Sequence, residues 1–258
     1  MPPTSGMHYK ISLLRIRSLV QLTLLLLVFI STNFAAEPTG SPWITLTGPE
    51  QGFKSWNTPI GHWKEGSRVL LDLDNSTRLQ TSPGKGTLIN GALGKEPNLI
   101  TREHFGDVEV ELEFMIAKGS NSGVKFMELY EIQILDSWKV KNPKGNDCGG
   151  IYPRAELEPR YRLLDEGVPP RSNAARKPGE WQSLHAVFHA PRFNDKGAKT
   201  AHAQLVIAVL NGTVIHEKVT LKTPTGHNWV KPEPRKGPLL LQGDHGPVAF
   251  RNIRVRHR

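Results

Sequence analysis

The chain has 258 residues, a formal net charge of +9 and one cysteine. That length is enough for one large domain with a substantial core. Cys148 excludes an intramolecular disulfide and is expected to be a buried small residue rather than a nucleophile. The basic residues are scattered, with no basic cluster interleaved with aromatic residues, which argues against nucleic acid as a partner.

Residues 1–36 have the layout of a secretory signal peptide. Three basic residues precede an apolar run over 19–30, and two alanines follow it. The run is shorter than the roughly 20 apolar residues needed to span a bilayer, so no stable membrane span is expected after cleavage. A retained anchor is the alternative, because Asn33 and Phe34 make the cleavage site imperfect. We predict an exported protein, periplasmic or extracellular, with a single domain over 37–258. Loss of the three basic residues lowers the net charge from +9 to +6.

The first part of this domain is rich in Trp, Gly and Pro. Short strands are predicted at 69–73 and 87–90, each next to turn residues. Trp43, Trp56 and Trp63 are spaced too irregularly for a helix face. They are interpreted as core residues, with a platform for stacking sugars as the alternative.

Residues 107–116, DVEVELEFMI, alternate between apolar and polar side chains. This pattern predicts a half-buried antiparallel strand whose acidic residues, Glu109, Glu111 and Glu113, form a solvated face. After a turn, residues 124–136 are predicted to return as the partner strand.

The segment 130–136, YEIQILD, combines an apolar and a polar face. On a strand its tyrosine and isoleucines point one way, whereas Glu131 and Gln133 point the other. Asp136 joins the polar face only if a β-bulge intervenes. Paired carboxyl groups on a concave sheet are typical of glycosidic bond cleavage. The alternative for Asp136 is a turn residue at the strand end.

Residues 137–179 lack strong periodicity and contain many prolines and glycines, which indicates a functional or lid-like loop. Tyr152 and Arg154 are its candidate contributors to a cleft. Tyr152 would stack, and Arg154 would donate forked hydrogen bonds to hydroxyl or carbonyl oxygens. Alternatively, both residues only pin the loop.

Strands resume at 180–189, and the segments 201–210 and 213–220 flank Asn211–Gly212, a strong hairpin signal. The histidines of this region are not spaced as metal ligands and are interpreted as structural or surface residues. They are His185, His189, His202 and His216.

The chain ends with a short buried strand, a glycine-bounded turn at 243–246 and a final strand at 248–256. Gln242, His245 and Arg251 are polar groups beside apolar residues in this segment. His245 is a candidate general acid or base, although it could equally cap the turn.

These elements predict an all-β protein, an antiparallel β-sandwich or jelly roll. Turn signals recur throughout, and no amphipathic helix, phosphate-binding glycine loop, zinc-spaced Cys/His set or nucleophile elbow is indicated. Such folds carry carbohydrate sites on a concave sheet, which suits the polar face of Glu131 and Gln133.

Seven short motifs occur in order along the chain. They are Asn121-Ser122-Gly123, Tyr130 to Asp136, Gly150-Ile151-Tyr152, Gly179-Glu180-Trp181, Leu210-Asn211-Gly212, Leu241 to Gly246 and Phe250 to Ile253. Together they resemble the 3-keto-disaccharide hydrolase family, from about Trp43 to the C-terminus. The resemblance implies a concanavalin A-like jelly roll. It also implies a planctomycete-type member of the family, exported by bacteria that degrade polysaccharides.

The resemblance also implies cleavage of a glycosidic bond in a sugar whose C3 hydroxyl has been oxidised to a ketone. The ketone acidifies the C2 proton, so a carboxylate can remove it and the C1 substituent can leave before water adds back. Glu131 is the candidate base, and Asp136 or His245 the candidate acid for the leaving oxygen. The candidate substrate-binding residues are Asn121, Lys125, Gln133, Tyr152, Arg154, Gln242 and Arg251.

The implied partner is an oligosaccharide or glycoside substrate. A divalent metal ion that polarises the ketone could do the same job, with its ligands left unassigned. The spacing of Glu131, Gln133 and Asp136 also parallels the E-x-D-x-x-E strand of retaining glucanases, from which the central glutamine departs. The competing interpretations are a non-catalytic carbohydrate-binding or adhesion domain and a structural exported sandwich.

Overall fold

The computed structural model describes residues 41–258. The predicted signal peptide and its alternative, a retained anchor, lie outside the described residues. Within the described range, the one helical element is the short 3-10 helix His227–Val230. No helix there has the length and apolar character needed to cross a membrane.

The remaining elements of this range are sixteen strands. Their bounds are β1 Ile44–Thr45, β2 Lys64–Leu71, β3 Leu79–Ile89, β4 Leu99–Phe105, β5 Val108–Ile116, β6 Asn121–Phe126, β7 Tyr130–Leu135, β8 Ala155–Glu156, β9 Arg162–Leu163, β10 Gln182–His189, β11 Arg192–Phe193, β12 Lys199–Ala201, β13 Ala203–Leu210, β14 Thr213–Leu221, β15 Gly237–Leu241 and β16 Val248–His257.

The strands form a sandwich of two main antiparallel sheets. The large sheet has the order β14-β13-β10-β5-β16-β3-β2, with β1 paired to β16. The small sheet has the order β4-β15-β6-β7. Two short ribbons, β8 with β9 and β11 with β12, complete the described strands. The predicted all-β antiparallel sandwich of the jelly-roll class is confirmed.

The core lies between the two sheets. Phe126 of β6 stacks on Phe188 of β10 with ring centroids 4.9 Å apart. The isoleucines of β7 belong to the same buried cluster, as the alternation predicts. Because successive side chains point to opposite faces, Glu131 and Gln133 lie on the outer face of the small sheet.

The prediction that residues 124–136 pair with residues 107–116 is wrong. Strand β5 pairs with β10 and β16, whereas β6 and β7 pair with each other in the small sheet. The chain reverses between β6 and β7 through Met127 and Glu128, whose φ angles are 57° and 59°. Non-glycine residues seldom adopt this left-handed conformation, so the composition does not signal the turn. Strands β5 and β7 therefore belong to different sheets, and their apolar faces pack against each other across the core.

The glutamates of β5 lie on the outer face of the large sheet, but they are paired rather than simply solvated. Each binds an arginine on neighbouring β16: Glu109 with Arg256, Glu111 with Arg254, and Glu113 with Arg251. We call these three ion pairs the arginine ladder.

Two of the three early tryptophans are core residues, since Trp56 is 0% and Trp63 4% exposed. Trp43 instead packs against Arg254, whose guanidinium carbon lies 4.4 Å from its ring centroid. Cys148 is buried as predicted, and burial raises the pKa of its thiol to about 11. Such a thiol is protonated near neutral pH and is a poor nucleophile.

Candidate active site

A cavity of about 440 Å³ opens on the outer face of the small sheet. Its lining comprises Asn98, Asn121, Lys125, Glu131, Tyr152, Ala155, Leu157, Tyr161, Gly226, His227, Gln242, Asp244 and His245. Six of the ten site residues proposed from the sequence are brought together here. They are Glu131, His245, Asn121, Lys125, Tyr152 and Gln242.

The strand order determines the order of groups across the cavity. His245 follows β15, Lys125 belongs to β6, and Glu131 belongs to β7. Tyr152 lies beside the edge of β7 that does not pair with β6, where its backbone N–H donates to the carbonyl oxygen of Glu131 at 3.2 Å. Since hydrogen-bonded strands lie about 4.8 Å apart, Glu131 is between the polar turn after β15 and the loop after β7.

Glu131 and Lys125 form an ion pair in the floor of the cavity. They are directly opposite each other in the β6–β7 register, and Lys125 Nζ lies 3.1 Å from Glu131 Oε2. The Glu131 side chain is 5% exposed and that of Lys125 13%. Burial raises the pKa of the Glu131 carboxyl above its usual range, and the charge of Lys125 partly opposes this rise. The site thus holds a desolvated carboxylate with strengthened basicity.

The backbone around Glu131 is held by Thr225. The Thr225 Oγ1 atom accepts from the Glu131 N–H at 3.0 Å and donates to the Leu129 carbonyl oxygen at 3.1 Å. Gly123 on β6 leaves room for the carboxylate, because a Cβ built on Gly123 would lie 2.3 Å from Glu131 Oε1. The position of the carboxylate therefore depends on one hydroxyl and on one missing side chain.

Replacing Thr225 with valine is expected to lower the free energy of unfolding by about 1–3 kcal/mol. The change leaves the buried N–H of Glu131 without its partner, whereas the Leu129 carbonyl oxygen keeps the backbone N–H of residue 225 at 2.9 Å. Denaturant unfolding measures the loss, and Thr225→Ser, which keeps the hydroxyl, should stay close to wild type. Equal stability of the valine and serine variants would show that this hydroxyl does not support the site.

His245 is oriented by its neighbours in the turn after β15. Its Nδ1 atom lies 2.5 Å from Asp244 Oδ1 and 3.1 Å from Gln242 Nε2. With Nδ1 donating to the Asp244 carboxylate, the Gln242 NH₂ group is only a neighbour of the ring and not its hydrogen-bond partner. Nε2 is then available to a ligand, as in other carboxylate–histidine pairs. The structure thus places a fixed imidazole on the opposite side of the cavity from Tyr152.

Seven lining residues were not among the proposed site residues: Asn98, Ala155, Leu157, Tyr161, Gly226, His227 and Asp244. Burial, together with the charges of Lys125 and Lys231, lowers the pKa of His227, so its ring is neutral near pH 7. No local pattern marks His227, which reaches the cavity only because the segment 225–226 bonds to 129 and 153–155. Leu157 and Tyr161 belong to the long loop whose functional character was predicted.

Asp136 does not lie beside Glu131. Strands β6 and β7 pair in unbroken register from Asn121 opposite Leu135 to Phe126 opposite Tyr130, so the expected bulge is absent. Asp136 Oδ2 instead accepts from the Gly119 N–H at 2.9 Å, which makes it a turn residue. The candidate role of Asp136 as the acid is corrected accordingly.

Gln133 shares the face of Glu131, but the loop after β7 covers it. Its Nε2 donates to the Asn146 carbonyl oxygen at 3.3 Å, and its backbone bonds to Gly149 and Gly150. The side chain is 2% exposed and does not line the cavity. Gln133 therefore holds the loop in place rather than contacting a ligand.

The two arginine candidates lie outside the cavity. Arg154 donates from Nε to Asp165 Oδ2 at 2.7 Å, which fits the alternative that it pins the loop. Arg251 belongs to the arginine ladder and packs on Trp181, with its guanidinium carbon 3.9 Å from the ring centroid. Because β16 is in the large sheet, Arg251 lies on the opposite outer face of the sandwich.

One trio in the described part of the chain brings potential metal ligands within 4.8 Å of one another: Glu109, Glu111 and His185. Two of the three, Glu111 and His185, line a cleft of about 590 Å³ on the outer face of the large sheet. Glu109 already binds His185 and Arg256, and Glu111 binds Arg254. The trio does not fit a metal centre, because its carboxylates are paired with fixed cations. This agrees with a structural role for His185.

Solved structures share this architecture. A proposed glycosyl hydrolase from Parabacteroides distasonis superposes with a TM-score of 0.57 at 25% sequence identity, over 84% of each chain. A second from the same organism gives 0.53 at 22% identity, covering 84% of this chain and 100% of that one. A third gives 0.52 at 13% identity, covering 84% and 94%. The last two show the fold alone, and no curated protein gives a significant match.

The antiparallel sandwich and its polar outer-face cavity define a β-sandwich protein of the carbohydrate-active enzyme class. More particularly, the chain belongs to the family of 3-keto-alpha-glucoside-1,2-lyase-like domains, whose sequence profile matches residues 42–256. This match confirms the resemblance to the 3-keto-disaccharide hydrolase family.

Proposed function

We propose that this protein cleaves the glycosidic bond of 3-keto-glycosides, such as 3-keto-disaccharides, by removing the C2 proton and eliminating the C1 substituent. The observation that carries the proposal is the buried Glu131 carboxylate, held beside Lys125 in the floor of a cavity of about 440 Å³. That volume suits a small ligand. Membership of the family supports the choice of a 3-keto sugar.

Glu131 acts as the base. When it takes the C2 proton, the electron pair of the C–H bond moves towards C3 and the ketone oxygen becomes an enolate oxygen. The Lys125 ammonium, 3.1 Å from the carboxylate, loses its ionic partner as the carboxylate is protonated. It then faces the new negative charge, so the buried charge balance is kept during the step.

His245 serves as the acid for the leaving group. The enolate expels the C1 oxygen, which takes the electron pair of the C1–O bond and a proton from the imidazolium Nε2. This leaves a C1=C2 double bond conjugated with the ketone. Water then adds at C1 and returns a proton to His245. The Glu131 carboxyl proton exchanges with solvent while the enone is present, and Glu131 then protonates C2. Both groups regain their starting states, and the net reaction is hydrolysis.

The test is to incubate the purified protein in D₂O with a 3-keto-disaccharide and with its unoxidised parent, and to follow the products by NMR. We expect release of the 3-keto sugar carrying deuterium at C2, and no cleavage of the parent. The isolated product in D₂O gives the background exchange, and a parallel sample with a chelator tests for a metal requirement. Cleavage of both substrates at equal rates would indicate a direct glycosidase mechanism. Tight sugar binding without any product would indicate a binding module.

The pH profile should report the ionisation of Glu131. The base must be ionised to act, so kcat/KM should increase with pH along an acidic limb. Because burial raises the pKa of Glu131, the apparent pKa of this limb should lie above the ordinary glutamate pKa of about 4.3. Removing the opposing cation in Lys125→Met should move this limb to still higher pH. A limb at or below the ordinary value, or one that does not move in the variant, would exclude Glu131 as the titrating base.

A further inference from the structure

The two sides of the cavity differ in chemistry. The side toward β4 and β15 presents amide, carboxylate and imidazole groups: Asn98, Gln242, Asp244 and His245. The side beyond β7 presents aromatic and aliphatic groups: Tyr152, Ala155, Leu157 and Tyr161. We call the second set the apolar wall. Glu131 lies between the two sides, because β7 separates them.

The apolar wall exposes ring and methyl surface to the cavity. Tyr161 is 54% and Leu157 51% exposed, although both are large apolar side chains. The Tyr152 and Tyr161 hydroxyls lie 2.5 Å apart and bond to each other. One of the two phenol O–H groups is used in this bond, so the wall offers a ligand one free O–H donor beside the faces of its rings and its methyl groups.

The apolar wall is built on an anchored hairpin of β8 and β9. The Ala155 N–H donates to the Gly226 carbonyl oxygen at 3.0 Å, and Trp229 Nε1 donates to the Ala155 carbonyl oxygen at 3.0 Å. On its other side, Arg154 binds Asp165. A surface fixed in this way loses little conformational freedom when a ligand docks.

We propose that the apolar wall is the leaving-group subsite and that it takes an aromatic aglycone. The inference rests on the proposed function, which places C2 at Glu131 and the ring hydroxyls of the 3-keto sugar on the polar side. A second sugar on the wall would bring several hydroxyls to a surface whose polar side-chain groups are the mutually bonded phenols and the nearby His227 ring. A flat aromatic ring brings no hydroxyls, and it can stack on Tyr161 while covering Leu157.

The experiment compares the 3-keto forms of a benzyl glucoside, a methyl glucoside and a glucose disaccharide. Benzyl and methyl alcohols leave with similar ease, so a difference between their KM values reports binding. We expect KM for the benzyl glucoside to be about tenfold lower than for the methyl glucoside, with the disaccharide close to the latter. Tyr161→Ala should abolish the difference and Tyr161→Phe should keep it.

The matched control is Leu73→Ala against Leu157→Ala, since Leu73 is 98% exposed and does not line the cavity. Only Leu157→Ala should reduce the difference between the KM values for the benzyl and methyl glucosides. Equal KM values for benzyl and methyl glucosides in the wild type, or an equal rise for both in Tyr161→Ala, would overturn the proposal.

If no 3-keto substrate is turned over, the proposed function is wrong, but the aromatic subsite can still be tested. Calorimetry then compares the dissociation constants of the benzyl and methyl glucosides. A benzyl preference that Tyr161→Ala removes would support the subsite. Equal dissociation constants would overturn it.

Discussion

Replacing Glu131 with glutamine should lower kcat for 3-keto-glycoside cleavage by about 10³-fold. Glutamine has nearly the same shape but cannot accept the C2 proton, so the first step loses its base. Deuterium exchange at C2 should disappear together with product release, because both depend on the same proton transfer. Substrate binding should survive, since the remaining cavity lining is unchanged.

The variant also leaves the Lys125 ammonium buried without its anionic partner, which costs stability. A double variant, Glu131→Gln with Lys125→Met, removes both charges and separates this effect from catalysis. It should recover stability without recovering activity. Glu113→Gln is the matched control, because Glu113 is also an ion-paired strand glutamate but lies in the arginine ladder on the opposite face. Recovery of turnover in the double variant, or an equal loss in Glu113→Gln, would contradict the assignment of Glu131 as base.

Replacing Gly123 with alanine should reduce kcat by about 100-fold while leaving the fold intact. The added Cβ would lie 2.3 Å from Glu131 Oε1 and 3.1 Å from its Cδ, so the carboxylate must move. The atoms in the way are the far end of a flexible side chain, so the thermal midpoint should change little. Catalysis is more sensitive, because a displacement of about 1 Å misaligns the base with the C2 proton.

Gly48→Ala provides the control for adding a methyl group to a glycine elsewhere in the chain. A Cβ built on Gly48 would lie 4.0 Å from Thr45 Cγ2, its nearest neighbour, so no side chain has to shift. Its kcat should match the wild type, and the crystal structure of Gly123→Ala should show a displaced Glu131 carboxylate. An unmoved carboxylate with lost activity, or a moved one with full activity, would separate the position of Glu131 from catalysis.

Local sequence patterns predicted the buried faces of β5 and β7 correctly, whereas in β16 a register shift between Arg251 and Arg254 brings Phe250, Ile253 and Val255 into one core. The alternation in β7 puts its tyrosine and isoleucines in the core and turns Glu131 outward. Asn211 and Gly212 adopt φ angles of 52° and 80° between β13 and β14, as the hairpin signal requires. These features depend on residues close together in the chain, so the preferences of the individual residues are enough to predict them.

Local patterns predicted only some of the residues that line the site. Glu131, Tyr152 and His245 were singled out as residues of three separate segments, and the structure brings them to one cavity. Asp136 and Arg251 have equally suitable chemistry, but the unbroken register of β7 and the place of β16 in the large sheet remove them.

Local patterns were therefore sufficient to predict the all-β class, the buried faces of β5 and β7 and the outward direction of Glu131. They did not predict which strands are neighbours, so the pairing of Lys125 with Glu131 and the presence of His227 and Tyr161 in the same cavity come from the tertiary structure. The physical reason is that side-chain alternation has a period of two residues and is local. Strand pairing and sheet packing instead join residues far apart in the chain through the burial of the whole core, which no single segment encodes.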